Sequence, residues 1–80
     1  MSRLRARKVK LFLHDDSINT MQYVIDTLSS VIPGCNALKA ESIAVIVHNK
    51  GKCQIYHGNL KESIYLYAQL IKYGLHVSVQ

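Results

Sequence analysis

From Lys8 to His14 the chain alternates, with Val9, Leu11 and Leu13 on one face and Lys8, Lys10 and Phe12 on the other, the period of a strand with one face buried. Asn19 followed three residues later by Gln22 reads as a capping box, and Met21, Val24, Ile25 and Leu28 recur at the spacing of one helical face. A first helix is expected over about residues 20–31. Pro33 and Gly34 end it, because proline cannot continue the hydrogen-bond ladder and glycine accepts the turn. Asn36 is the expected cap of a second helix whose Ala40, Ile43, Ala44 and Val47 form an apolar stripe before the turn at Gly51. Lys52 to His57 reads as a short strand with Cys53, Ile55 and His57 on one face, turned by Gly58. Asn59 and Glu62 repeat the capping spacing, and Ile64, Tyr67, Leu70 and Ile71 mark the expected buried face of a third helix running to Tyr73, with Gly74 at its C-terminal cap. Leu75 to Val79 supplies the last strand.

The order strand, helix, helix, strand, helix, strand in 80 residues predicts an α+β domain of two layers, a three-stranded antiparallel sheet packed against three helices. One core is all that this length supports. Charge divides the chain unevenly. Five of the ten Lys and Arg (Arg3, Arg5, Arg7, Lys8, Lys10) fall in the first ten residues, and the other five balance Asp15, Asp16, Asp26, Glu41 and Glu62, so residues 11–80 are formally neutral. Residues 1–7 therefore read as a basic, flexible N-terminal segment preceding a single domain over residues 8–80. A solvated arm, a contact with nucleic acid or an acidic surface, and the remainder of a cut targeting peptide all fit that composition. No apolar run reaches the ~18 residues of a membrane span. Cys35 and Cys53 are too few and too far apart for a zinc motif or a disulfide framework, and read as two reduced thiols.

The stretch LHDDSINTM places two adjacent carboxylates at the first strand-to-helix junction. Asp15, Ser17 and Asn19 have calcium-loop spacing, but the sixth position is Thr20 where that turn needs glycine, and the helix stripe starting at Met21 uses residues that would have to wrap the ion. Asp16 with a histidine, and Ser17 or Cys53 as nucleophile, would be a catalytic reading, yet no nucleophile elbow, phosphate loop or second acidic cluster accompanies it. The four histidines lack metal-ligand spacing. No metal and no cofactor is expected. Carboxylates before a first helical turn are favoured by the dipole, which accounts for one of the pair better than for both.

Four blocks, LFLHDDSINTMQYVIDTL, VIPG, AVIVHNKG and YGLHVSV, agree in order and spacing with one family. The chain resembles the ClpS adaptor proteins over residues 8–80, most closely the branch of cyanobacteria and plastids. The resemblance implies a non-enzymatic N-recognin, a protein that binds the free α-amino group and bulky first side chain of an N-degron substrate and hands it to the N-domain of a Clp AAA+ chaperone of the ClpC or ClpA type. It implies no nucleic-acid or membrane partner, and a plastid-like stroma (apicoplast or chloroplast) or a bacterial cytoplasm as the setting.

Carried over by position, the resemblance implies that Asp15 and Asp16 are the recognition pair, with Asp16 receiving the amine together with His48. Asn19, Met21, Val24, Ala44, Val47 and Leu75 would line the apolar cup, and Lys61, Glu62 and Tyr65 on the third helix would meet the chaperone. Asp15 stands where the family usually has asparagine, and Ala44 where many members carry a gating methionine. The rival reading is a small basic nucleic-acid-binding domain, weakened by the neutral core.

Overall fold

The first strand forms as its alternation requires. In β1 (Lys8–His14) Val9, Leu11 and Leu13 are buried while Lys8 and Lys10 face solvent. The structure is a computed structural model and describes residues 7–80; the flexible segment expected over residues 1–7 lies, apart from Arg7, outside the described residues. After β1 come α1 (Met21–Val31), α2 (Ala37–Lys50), β2 (Lys52–Asn59), α3 (Leu60–Lys72) and β3 (Val77–Val79). The sheet order is β2-β1-β3 with both pairs antiparallel, so β1 is the central strand. This is the α+β, two-layer arrangement that the pattern predicts.

The core lies between one face of the sheet and the helices. Leu11 and Leu13 of β1 share one buried cluster with Leu28 of α1, Val47 of α2 and Leu70 of α3, each such side chain contributing about 1.5–3 kcal/mol by leaving water. Asn36 caps α2, its side chain accepting from the Lys39 amide at 2.8 Å, and Gly51 closes the same helix at φ 91°, a left-handed conformation that glycine adopts without strain. Asn59 caps α3 by accepting from the Glu62 amide at 2.8 Å.

Several expected details are corrected. Thr20, not Asn19, caps α1, accepting from the Tyr23 amide at 3.1 Å, because Asn19 is engaged elsewhere. Met21, expected on the buried face of α1, is 43% exposed. Strand β2 continues through Gly58, which pairs with Val9 and makes no turn. A bulge displaces the register there: Leu11 faces Tyr56 while Phe12 faces Gln54, leaving Ile55 as the extra residue. His57 is thereby turned outward and Gly58 inward, where a Cβ would come within 2.6 Å of the Tyr56 ring. On α3 the buried residues are Ser63, Leu66 and Leu70, while Ile64 and Ile71 are exposed. The last strand begins at Val77, since the chain before it forms a Schellman turn: the Gly74 amide donates to the Ile71 carbonyl and the Leu75 amide to the Leu70 carbonyl.

Candidate functional site

The segment between β1 and α1 is fixed at its start by backbone bonds. The His14 amide donates to the His76 carbonyl at 2.8 Å, and the Asp15 amide to the Gly51 carbonyl at 2.9 Å. The second bond brings the C-terminal end of α2, where His48 sits, against the start of the acidic segment. Asp16 then shapes the chain from Ser17 to Asn19. One of its carboxylate oxygens accepts from the Ile18 amide at 2.9 Å and the Asn19 amide at 2.7 Å; the other accepts from the Asn19 side-chain amide at 3.1 Å. This is an Asx-type turn, in which a short carboxylate replaces the backbone acceptors that an irregular segment lacks.

Two bonds tie this segment to the end of α3. The Asn19 side-chain amide also donates to the Gly74 carbonyl at 2.9 Å, and the Tyr23 hydroxyl donates to the Tyr73 carbonyl at 2.6 Å. Asn19 therefore acts as a cross-link rather than as a helix cap.

The result is a cleft of about 80 Å³ at the end of β1. Leu13, His14, Asp15, Asp16 and Asn19 form one side; Met21 and Val24 of α1 and Ala44, Val47 and His48 of α2 complete it. Pockets for drug-sized ligands run to about 300–1,000 Å³, so this one has room for a single side chain. Burial works to raise the Asp16 pKa, but the hydrogen bonds from Asn19 and Ile18 and the charge of His76 outweigh it and hold the carboxyl below the ordinary aspartate range. Asp16 is thus ionised at neutral pH. Among the described residues no hydrogen-bond donor reaches the Asp15 carboxylate, and Asp15 is exposed. The cleft pairs a doubly acidic rim with an apolar wall, which suits a small cation attached to a hydrophobic group.

Eight of the residues expected at the site from the sequence, Asp15, Asp16, Asn19, Met21, Val24, Ala44, Val47 and His48, line this cleft. Leu75 does not. It is 2% exposed and packs into the core, as the residue that follows the glycine of a Schellman turn commonly does. Lys61, Glu62 and Tyr65 gather with Asn59 around a separate shallow depression at the start of α3. There the Tyr56 hydroxyl donates to Glu62 at 2.9 Å, a bond that raises the tyrosine pKa. Sequence reasoning missed Leu13 and His14. Strand alternation assigns them to the core and to the outer face, and nothing local signals that the strand opens onto a cleft.

Neither cysteine is among the residues that line the cleft. Burial pushes the thiols of Cys35 and Cys53 up, away from the thiolate that a nucleophile needs. Among the described residues no three His, Cys, Asp or Glu side chains gather as metal ligands would. No helix among them is long and apolar enough to cross a membrane.

The family model for the ATP-dependent Clp protease adaptor protein ClpS matches residues 5–78. The chain belongs to the ClpS family. It is 37% identical over 49 residues to the ClpS adapter of Synechococcus sp. (strain CC9902), an alignment covering 61% of this chain and 47% of that protein. To the ClpS adapter of Prochlorococcus marinus (strain MIT 9515) it is 26% identical over 76 residues, covering 95% of this chain and 72% of the relative. The chain thus spans about half the length of the first of these ClpS relatives and about three quarters of the second. A solved structure of Agrobacterium tumefaciens ClpS2 bound to L-phenylalaninamide superposes with a TM-score of 0.75 at 13% identity, covering 95% of this chain and 98% of that one, a likeness of fold. The family is one of Clp protease adaptor proteins.

Proposed function

We propose that this ClpS-family chain is an N-recognin, which seats the first residue of a substrate in the cleft and delivers that substrate to the N-domain of a ClpC- or ClpA-type AAA+ chaperone for degradation. The observation that carries the reading is the junction of two carboxylates and His48 with an apolar wall in one side-chain-sized cleft. A free α-amino group has a pKa near 7.7–8.0 and presents three donors on one small cation. Asp16, ionised and already oriented by its own turn, offers its less occupied oxygen. Asp15 adds a carboxylate outside that turn, and His48 a ring nitrogen. Charge-assisted bonds of this kind contribute about 1.5–3 kcal/mol each, and burying the first side chain adds roughly as much. After the entropy of association is subtracted, micromolar affinity is the expected scale.

The ligand of the Agrobacterium tumefaciens ClpS2 structure, L-phenylalaninamide, is a free α-amine carrying a benzyl side chain, the chemistry that the cleft here is suited to hold. Ala44 in the wall leaves space where a larger residue would narrow the cup. The cyanobacterial relatives support assignment to the cyanobacterial and plastid branch, with a plastid-like stroma or a bacterial cytoplasm as its setting. The depression formed by Lys61, Glu62 and Tyr65 is the proposed chaperone-docking surface.

The test is a titration of a peptide beginning with Phe against its N-acetylated twin. Acetylation removes the charge and two donors, so the twin is expected to bind at least about 100-fold more weakly. Equal binding of the two peptides would remove the reading.

A further inference from the structure

The sheet has a second face, which the helices leave open. From β1 it carries Lys8, Lys10, Phe12 and His14; opposite Lys10, Phe12 and His14 stand His57, Gln54 and Lys52 of β2. The bulge at Ile55 matters here, because it keeps Gln54 and His57 on one side although they are three residues apart. Lys8, Lys10 and Lys52 are exposed. None of the three strands contains an Asp or Glu. An open antiparallel face of this kind normally mixes charges; the strands of this one bring three lysines and no carboxylate.

The basic face and the cleft are continuous. His14 ends the outward row of β1 and also lines the cleft, and its ring is held against the Ser78 hydroxyl at 2.7 Å. At about 3.3 Å per strand residue, Lys10 lies about 13 Å from His14 and Lys8 about 20 Å. Lys52, directly across from His14, is nearest.

We propose that this face is a track for an acidic segment of the substrate lying a few residues behind its N-terminus. The inference rests on the reading of the cleft as the seat of the first residue. A chain leaving the cleft past His14 meets Lys52 first, then Lys10 and Lys8, so carboxylates at about the third to seventh residues of an extended substrate fall within reach. Nucleic acid fits the same charge less well. The Phe12 ring on this face has the Lys52 ammonium 5.2 Å from its centroid, so it is not a free platform for the base stacking that single strands use.

The test uses peptides that share Phe and the next residue, and carry Asp/Glu, Ser/Gly or Lys at positions three to seven. In low salt the acidic peptide is expected to bind about 5–20-fold more tightly than the neutral one and the basic peptide more weakly, with the difference gone in about 0.5 M salt. The triple variant Lys8→Gln, Lys10→Gln, Lys52→Gln should abolish the acidic advantage and leave the neutral peptide unchanged. No acidic advantage, or one that survives the triple variant, overturns the proposal. An N-acetylated neutral peptide run alongside reports separately on the cleft, since its binding as tightly as the free peptide defeats the cleft reading whatever the acidic series does. A single-stranded DNA of about 12 nucleotides, within the site sizes such strands occupy, that binds more tightly than the acidic peptide and loses that binding in the triple variant would make the face a nucleic-acid surface instead.

Discussion

Two strand-to-helix junctions in this fold solve the same geometric problem at very different lengths. Between β2 and α3 there is no intervening residue: Asn59 ends the strand and caps the helix at once. Between β1 and α1 the chain takes residues 15–20, which expose Ile18 and carry two carboxylates. The short junction shows that the fold can make the turn with a cap alone. The extra length at the long one is therefore not required by the architecture, and it is there that the cleft is built.

The largest effect should come from breaking the long junction at its anchor. Asp16→Ala removes three hydrogen bonds and a contact proposed for the amine, so affinity for a Phe-initiated peptide should fall about 100-fold and thermal stability by about 1–3 kcal/mol. Titration and melting measured on one sample separate the two losses. Acid should imitate this variant. The folded-state pKa of Asp16 is lowered, so its contribution to stability is complete above the ordinary aspartate value and disappears as pH falls through the lower one. Asp16→Asn should lack that component of the acid-unfolding curve.

Disturbing the short junction should change stability alone. Gly58→Ala drives a methyl into the Tyr56 ring and should cost about 1–3 kcal/mol; Asn59→Ala removes a cap and should cost about 1 kcal/mol. Both should bind peptide normally once folded. A loss of affinity comparable with that of Asp16→Ala would erase the distinction between the junctions.

Smaller effects test the division of work within the cleft. Asp15→Asn should lower affinity several-fold and flatten its salt dependence without moving the melting temperature, because no internal hydrogen bond to its side chain is lost among the described residues. Ala44→Met should change mainly the order of preference, favouring Leu over Phe at the first position by a few-fold as the cup narrows. Competition between peptides differing only in that residue reads this directly.

The range of each interaction decides how far it could be read in advance. The β1 alternation, the Asn36 and Asn59 caps and the stop at Pro33 and Gly34 depend on near neighbours, and all were legible. Asn19 and Thr20 are both good caps in adjacent positions; Gly74, 55 residues away, draws Asn19 out of contention. On α3 the apolar residues run around more than one face, so periodicity alone could not choose Leu66 over Ile64. The Ile55 bulge leaves no trace in a strand whose residues alternate plausibly without it. Most of the cleft could be located because its residues cluster in the first junction and on the α2 stripe. Leu75 stands apart from the residues that line the cleft because the turn that buries it belongs to the end of another helix.

The bonds from Asn19 to Gly74 and from Tyr23 to Tyr73 span 55 and 50 residues. Contacts of such separation can close only after the intervening chain is in place. During synthesis the two carboxylates emerge early, yet the bonds that tie their segment to the end of the third helix cannot form until that helix has been made. A ribosome-bound intermediate halted before residue 73 would carry every residue of the acidic junction and lack both bonds that tie it to the end of α3.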